Sequence, residues 1–206
     1  MPTSNLKRGL DVSLAAVALI LLAPLIAGLA VWVWVAEGRP AFYRSRRVGE
    51  RGRPFDLWKL RTMTPDADRS PRGSVTVADD PRVTPTGRVL RTWKLDELPQ
   101  LLNVLTGDLS LVGPRPEVPE YVARYTPEQR QILRYRPGLT SPGTLAFVDE
   151  EAVLARSADP ASAYLNEIMP EELRRDLAYM ERATFLSDLG VLVRTVGAVL
   201  RRGGAA

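Results

Sequence analysis

The chain has 206 residues and a net charge of +4, with neither cysteine nor histidine. That length allows one domain with a real core and is short for two. Disulfides, thiolate metal sites, a cysteine nucleophile and the Ser-His-Asp triad are excluded, so any acid–base or nucleophilic work falls on carboxylates, lysine, tyrosine or hydroxyls.

The first predicted element is a membrane segment. Val12 to Ala36 carries no charge and exceeds the roughly 20 apolar residues that a bilayer crossing needs. It is too long for the apolar region of a cleaved signal peptide and runs into charge without a clear small-x-small site. Pro24 sits mid-run, where it removes a backbone donor and clashes with the preceding turn. Lys7 and Arg8 precede the run, and between Glu37 and Met63 eight basic residues stand against three acids. Both flanks therefore favour the cytoplasm and its anionic leaflet. A helix broken near Pro24 that enters and leaves on one face satisfies both flanks; a straight span strands one, although prolines also kink true spans. Trp32 and Trp34 suit interfacial anchoring.

Pro65 to Pro85 is rich in Pro, Asp, Arg, Ser and Thr and reads as a loop. Leu95, Leu98, Leu102 and Leu105 share one helical face. Gly107-Asp108 makes a turn before the short apolar run Leu109 to Val112, and prolines stiffen Gly113-Pro114-Arg115-Pro116. A helix begins near Pro116 to Glu120 or at Thr126-Pro127-Glu128, where threonine caps and proline suits the first turn; Arg136-Pro137-Gly138 breaks it. From Pro170 to Arg202 helical periodicity returns, with Leu173, Leu177, Met180, Leu186, Leu189 and Val193 on apolar positions. Such a stretch covers a core or lies along a membrane surface, and amphipathic helices mostly do the former. Together the elements predict an α+β chain, predominantly helical with a small β element.

The stretch most suited to chemistry is Arg91 to Gln100, RTWKLDELPQ. With Pro99 in a helical first turn, Asp96 is the expected N-cap and Glu97 the first helical residue. Free N–H groups and the helix dipole would lower both pKa values, leaving Asp96 ionised as a nucleophile or Mg²⁺ ligand. An Asp-Glu helix start is by itself an ordinary cap. Lys59, Arg61, Arg88, Arg91 and Arg115 are candidates for holding phosphate oxygens, Arg by a bidentate fork and Lys as a point charge.

These pieces run in an order that resembles the bacterial sugar transferases, or monotopic phosphoglycosyl transferases: KRGLDV, FDLWKLRTM, DPRVTPTGRVLR, KLDELPQLLNVLTGDLSLVGPRPE, RPGLT and LRRDLAYMERATFLSDLGVL. The resemblance covers roughly residues 7 to 195, and DELPQL followed by GDLSLVGPRP is its most specific part. It implies that Asp96 attacks the β-phosphorus of a UDP-sugar, releases UMP and carries the phosphosugar until a polyprenyl phosphate, such as undecaprenyl phosphate, takes it. It implies Mg²⁺ at Asp96, an assisting Glu97, and Lys59, Arg91 and Arg115 on phosphate with Glu117 nearby. It also implies a re-entrant hairpin over residues 1–38 broken at Ala23-Pro24, and a catalytic domain over 39–206. That domain would bear interfacial amphipathic helices on the cytoplasmic face of a bacterial inner membrane, among membrane lipids and compatible with a homodimer. Two departures stand out: Ala23 replaces a serine common before the proline, and Gly138 to Thr144 lacks the usual Trp-Ala-Gln continuation, which leaves the sugar open. Two other classes fit the residues alone: a phosphohydrolase of lipid diphosphates, and a non-enzymatic basic membrane adaptor. Nucleic acid is not an expected partner, since aromatics are not interleaved with the basic residues as stacking platforms.

Overall fold

The computed structural model describes residues 5–65, 67 and 75–204; the part of the predicted loop at 66 and 68–74 lies outside the described residues. Charge-free sequence from Val12 onward makes α1 (Asn5–Glu37) a single 33-residue helix, about 50 Å long at 1.5 Å per residue. Only 6% of its most apolar 18-residue window is buried inside the protein, so it is no core helix. The helix continues through Pro24 without a non-helical break. The expected interruption at Ala23-Pro24 is therefore only a missing donor inside a continuous helix, with Ala23, Pro24 and Leu25 all exposed.

Both ends of α1 rest on the same globular body. At the start, Arg8 donates to the carbonyls of Val104 (2.6 Å) and Leu105 (3.0 Å), Lys7 pairs with Asp188 at 2.5 Å, and the Ser110 hydroxyl donates to Asp11 at 2.6 Å. Ala15, Ala18, Leu19 and Leu22 then pack in a cluster with Phe55, Leu57, Leu101 and Leu109. Near its end, Val33 is buried with Leu60 and Leu90, and the Arg61 guanidinium closes the last turn by donating to the carbonyls of Glu37 (2.6 Å) and Gly38 (2.7 Å). A cation at a helix C-terminus meets both the free carbonyls and the negative end of the dipole.

The body is predominantly helical around two small sheets. β1 (Phe42–Val48) and β2 (Pro54–Leu60) form an antiparallel hairpin with Phe42 opposite Leu60 and Val48 opposite Pro54. After α2 (Pro85–Thr92) come a 3₁₀ turn, Leu95–Gln100, and α3 (Leu101–Thr106). β3 (Ser110–Val112) pairs in parallel with β4 (Gly138–Thr140), with α4 (Pro119–Val122) between them. α5 (Pro142–Ala146), α6 (Glu150–Leu154), α7 (Pro160–Ala163), α8 (Met169–Met180) and α9 (Phe185–Gly204) complete the chain. The largest core gathers Tyr121, Tyr125, Ile132, Leu154, Tyr164, Ile168 and Leu173.

Two expectations need correction. The leucine face over 95–105 is not the buried one: Leu102 is 40% exposed, whereas Leu101 and Val104 are core, because the 3₁₀ winding up to Gln100 rotates the phase of α3. Among the late apolar positions, Leu173 and Met180 are buried, but Leu186, Leu189 and Val193 are exposed. α9 turns a polar and small-residue face inward. Asp188 and Val191 are buried, the Thr195 hydroxyl lies 2.8 Å from that of Thr140, and Gly203 sits against the Trp93 ring. Its outer face is the apolar stripe Leu186, Leu189, Val193, Val196 and Leu200, spaced at helical intervals.

The loop after β3 is held by a backbone crossing. Gly113 N donates to Thr140 O (3.0 Å) and Gly138 N to Pro114 O (2.9 Å); a Cβ on Gly138 would lie 2.1 Å from Gly113 N. Backbone atoms cannot yield as side chains can, so Gly138→Ala should destabilise the protein by about 3 kcal/mol or more in chemical unfolding. Gly190→Ala, whose added Cβ meets nothing within 4 Å, should be neutral or mildly stabilising, by up to about 1 kcal/mol.

Candidate active site

Lys94 adopts the left-handed conformation (φ 53°, ψ 24°) and swings the chain from α2 into the 3₁₀ turn. Asp96 is thus the second residue of that turn, not its N-cap, and no side chain caps it. The reversal points Asp96 inward, where it is 4% exposed, and its Oδ1 atom is buried with no hydrogen-bond partner among the described residues. The preceding Leu95 packs against the cluster of Val33, Leu60 and Leu90, so the acid sits close to the C-terminal part of α1.

Glu97 faces a ring of cations. Lys59 Nζ, from β2, lies 3.1 Å from its Oε1 and Lys94 Nζ 3.9 Å. Burial would raise the pKa of Glu97, but Lys59 and Lys94 outweigh it and hold the carboxyl far below the usual range, with Arg115 adding to the effect. Asp96 goes the other way, and the expectation of a lowered pKa fails there. Desolvation raises it, the charge of Glu97 raises it further, and Lys59, Lys94 and Arg91 only partly oppose. Two adjacent carboxylates in one small volume part in this manner because their negative charges resist coexistence.

Lys59, Arg91 and Arg115 do converge on the acids, within electrostatic reach. Arg91 donates to Thr62 Oγ1 at 3.1 Å and to Glu151 at 3.0 Å. Arg115, half-buried between its prolines, pairs with Glu150 (3.4 Å) and Glu117 (3.7 Å). Arg61 is apart, capping α1, and Arg88 is exposed on α2. Glu117 is 4% exposed; it accepts a hydrogen bond from the Tyr164 hydroxyl and sits 3.8 Å from Arg47, so it holds Arg115 from behind. Five contributors escape the sequence reading. Lys94 needs its left-handed backbone to turn back, though its spacing to Glu97 is a signal. Glu150 and Glu151 lie in a short acidic run that no motif marks, and Glu172 and Asp176 are hidden in the periodicity of α8.

Glu172 and Asp176 lie one turn apart on α8 and line the far side of Arg115. Asp176 accepts from Gly143 N at 2.7 Å, and Glu172 Oε1 is buried without a partner among the described residues. Burial lifts Glu172 to about 8, against Arg115 and helped by Glu150 and Glu117. Burial lifts Asp176 to about 6, with the Gly143 hydrogen bond opposing. Raised carboxyls bind protons more tightly folded than unfolded, so their stabilisation is whole below the ordinary values of 4.5 and 3.8 and is lost as pH climbs through about 6 and about 8. Thermal unfolding in detergent should therefore show a falling midpoint from about pH 5 to 8.5, and Glu172→Gln should flatten that slope.

Comparison with known proteins gives the family of the chain. Residues 2–202 match the model of the family described as bacterial sugar transferase. The exopolysaccharide production protein ExoY of Sinorhizobium fredii is 36% identical, over 96% of this chain and 87% of its own. The UDP-glucose:undecaprenyl-phosphate glucose-1-phosphate transferase of Caulobacter vibrioides is 38% identical, over 97% and 71%. The undecaprenyl-phosphate galactose phosphotransferase of Salmonella typhimurium is 33% identical, over 97% of this chain and 41% of its own longer one. The match runs through both halves of α1 and every element that carries a site residue, and this chain belongs to the bacterial sugar transferase family.

Proposed function

We propose that this protein transfers a sugar-1-phosphate from a UDP-sugar to a polyprenyl phosphate, as an early membrane step in polysaccharide assembly, with Asp96 as nucleophile. The observation that carries the reading is a buried Asp96 carboxylate oxygen without a partner among the described residues, in the field of Lys59, Lys94 and Arg91, with Arg115 acting on the adjacent Glu97. Phosphoryl transfer asks chiefly for alignment and neutralisation of oxygen charge, and these cations offer both without histidine or cysteine. The Asp96 carboxylate forms a bond to the β-phosphorus as the bond to the bridging oxygen breaks, and UMP departs with that electron pair. An oxygen of the lipid phosphate then attacks the same phosphorus, and Asp96 leaves as carboxylate. Lys59, Arg91 and Arg115 bind phosphate oxygens through these displacements. Glu97 keeps Lys59 and Lys94 aimed at the site, and Glu117 fixes Arg115.

The residues fit Mg²⁺. An orphaned Asp96 oxygen beside Glu97 supplies hard oxygen donors, and Mg²⁺ needs only one or two carboxylates besides phosphate and water. No group of three or more metal-binding side chains gathers among the described residues. When bound, the ion would neutralise diphosphate charge.

Membrane placement rests on α1 docking both ends on one body. A re-entrant placement of residues 1–38, which would require α1 to bend at Pro24, would keep Lys7, Arg8 and the basic hairpin on the cytoplasmic side. The catalytic domain, residues 39–206, then lies on the inner membrane with the α9 stripe in the interface.

Purified protein in nanodiscs with Mg²⁺, undecaprenyl phosphate and a panel of UDP-sugars should release UMP only when the lipid is present. Asp96→Asn should lower the rate at least about a thousandfold. Mass spectrometry of enzyme given donor alone should find the phosphosugar on the Asp96 peptide; free phosphate made without lipid would instead mark a phosphohydrolase. Tags at both termini should be reached only from the cytoplasm, and a periplasmic N-terminus would refute the re-entrant placement.

A further inference from the structure

Asp149, Glu150 and Glu151 lie between α5 and the first turn of α6, and each meets an arginine. Glu150 Oε2 is 3.4 Å from Arg115 Nη1, and Glu151 Oε1 is 3.0 Å from Arg91 Nη1. The other Glu151 oxygen is 3.6 Å from Arg202 Nη2, and Asp149 is 3.7 Å from Arg202 Nε. Arg202 belongs to α9 and also donates to Val148 O at 2.9 Å. One short acidic run thus gathers arginines from α2, from the loop after β3 and from α9.

Two of these, Arg115 and Arg91, are the arginines assigned to phosphate. A carboxylate and a phosphate offer a guanidinium the same acceptor geometry, so a glutamate on each arginine competes with a phosphate for it. Glu150 acts most strongly on the Arg115 charge. The acidic run is also light in its attachment. α6 has five residues, and Leu154 is its one buried side chain. Among the described residues, a single backbone hydrogen bond, Ala78 N to Glu151 O at 3.0 Å, ties it to the segment before α2.

We propose that Glu150 and Glu151 are an internal stand-in for the donor's diphosphate, closing over Arg115 and Arg91 until a nucleoside diphosphate displaces them. The inference rests on the phosphoryl-donor reading of this site. It adds a built-in competitor, so that affinity for the donor is set below what the arginines alone would give and the arginines are never left without an anion.

The test is calorimetric titration of the full chain in nanodiscs with UDP, which binds without turnover. Glu150→Gln/Glu151→Gln should bind UDP about 5- to 20-fold tighter than the wild type, the loss of two partly exposed competing pairs. The KM for the donor should fall in step. Glu151→Gln alone, at the more exposed position, gives the same sign if the double variant folds poorly. Glu167→Gln, an exposed acid on the turn before α8, removes the same charge at a position with no arginine partner among the described residues and should leave UDP affinity unchanged. Equal or weaker UDP binding by Glu151→Gln and the double variant overturns the stand-in. So does equal tightening by Glu167→Gln, which would reduce the effect to net charge. In either case lipid-dependent UMP release by the wild type keeps the transferase reading intact. Absence of UDP binding in every variant overturns the stand-in as well, and persistent UMP release would then place the diphosphate elsewhere.

Discussion

A buried carboxylate oxygen with no hydrogen-bond partner costs on the order of 1–3 kcal/mol, more if it is charged, and the site is organised around one. Asp96 is carried into that position by backbone, not by side-chain contacts: a left-handed Lys94 and a 3₁₀ turn drive it inward. The cost is offset only in part by the field of Lys59, Lys94 and Arg91, cations supplied by β2, the α2 exit and α2. The folding free energy thus maintains an unsatisfied acceptor in a cationic setting, which is the preorganisation a phosphoryl-transfer site requires.

The second constraint is geometric. A chain segment too apolar for water and too little buried for a core is anchored at both ends to one body, by Arg8, Lys7 and Asp11 at one end and Arg61 at the other. Leu95 joins the cluster that receives the far end of α1, so the acid's position relative to α1 is set by direct packing. The exposed stripe of α9 and the exposed upper surface of α1 leave apolar area that water would not tolerate cheaply, about 25 cal/mol per Å².

Much of this is legible in the residues. Charge-free length specifies α1, the Gly107-Asp108 turn and apolar run specify β3, and DELPQL with GPRP locates Asp96, Glu97 and Arg115 of the candidate site. The failures have physical reasons. Periodicity reads a regular helix, so it cannot foresee that 3₁₀ winding before Leu101 rotates the buried face, nor that Lys94 takes the left-handed turn and displaces Asp96 from a solvent-facing cap. Local helix-end electrostatics predict two depressed pKa values; burial and mutual repulsion reverse one. The α9 stripe escapes for a similar reason, because amphipathicity specifies that one face is apolar and is silent on what that face meets.

Arg115 shows why pairwise expectations are insufficient here. On sequence it is a lone cation between prolines, open to phosphate. In the fold it is encircled by Glu117, Glu150, Glu172 and Asp176, with Tyr164 and Arg47 bracing Glu117. Burial raises Glu172 and Asp176, with Glu150 and Glu117 adding to the rise of Glu172, while Glu150 remains the close partner of Arg115. An anion arriving at Arg115 therefore enters a competition already in progress, and its binding alters the charge felt by each acid in the group. Affinity for any anion at Arg115 would consequently be a property of the α6 and α8 acids as much as of the arginine itself.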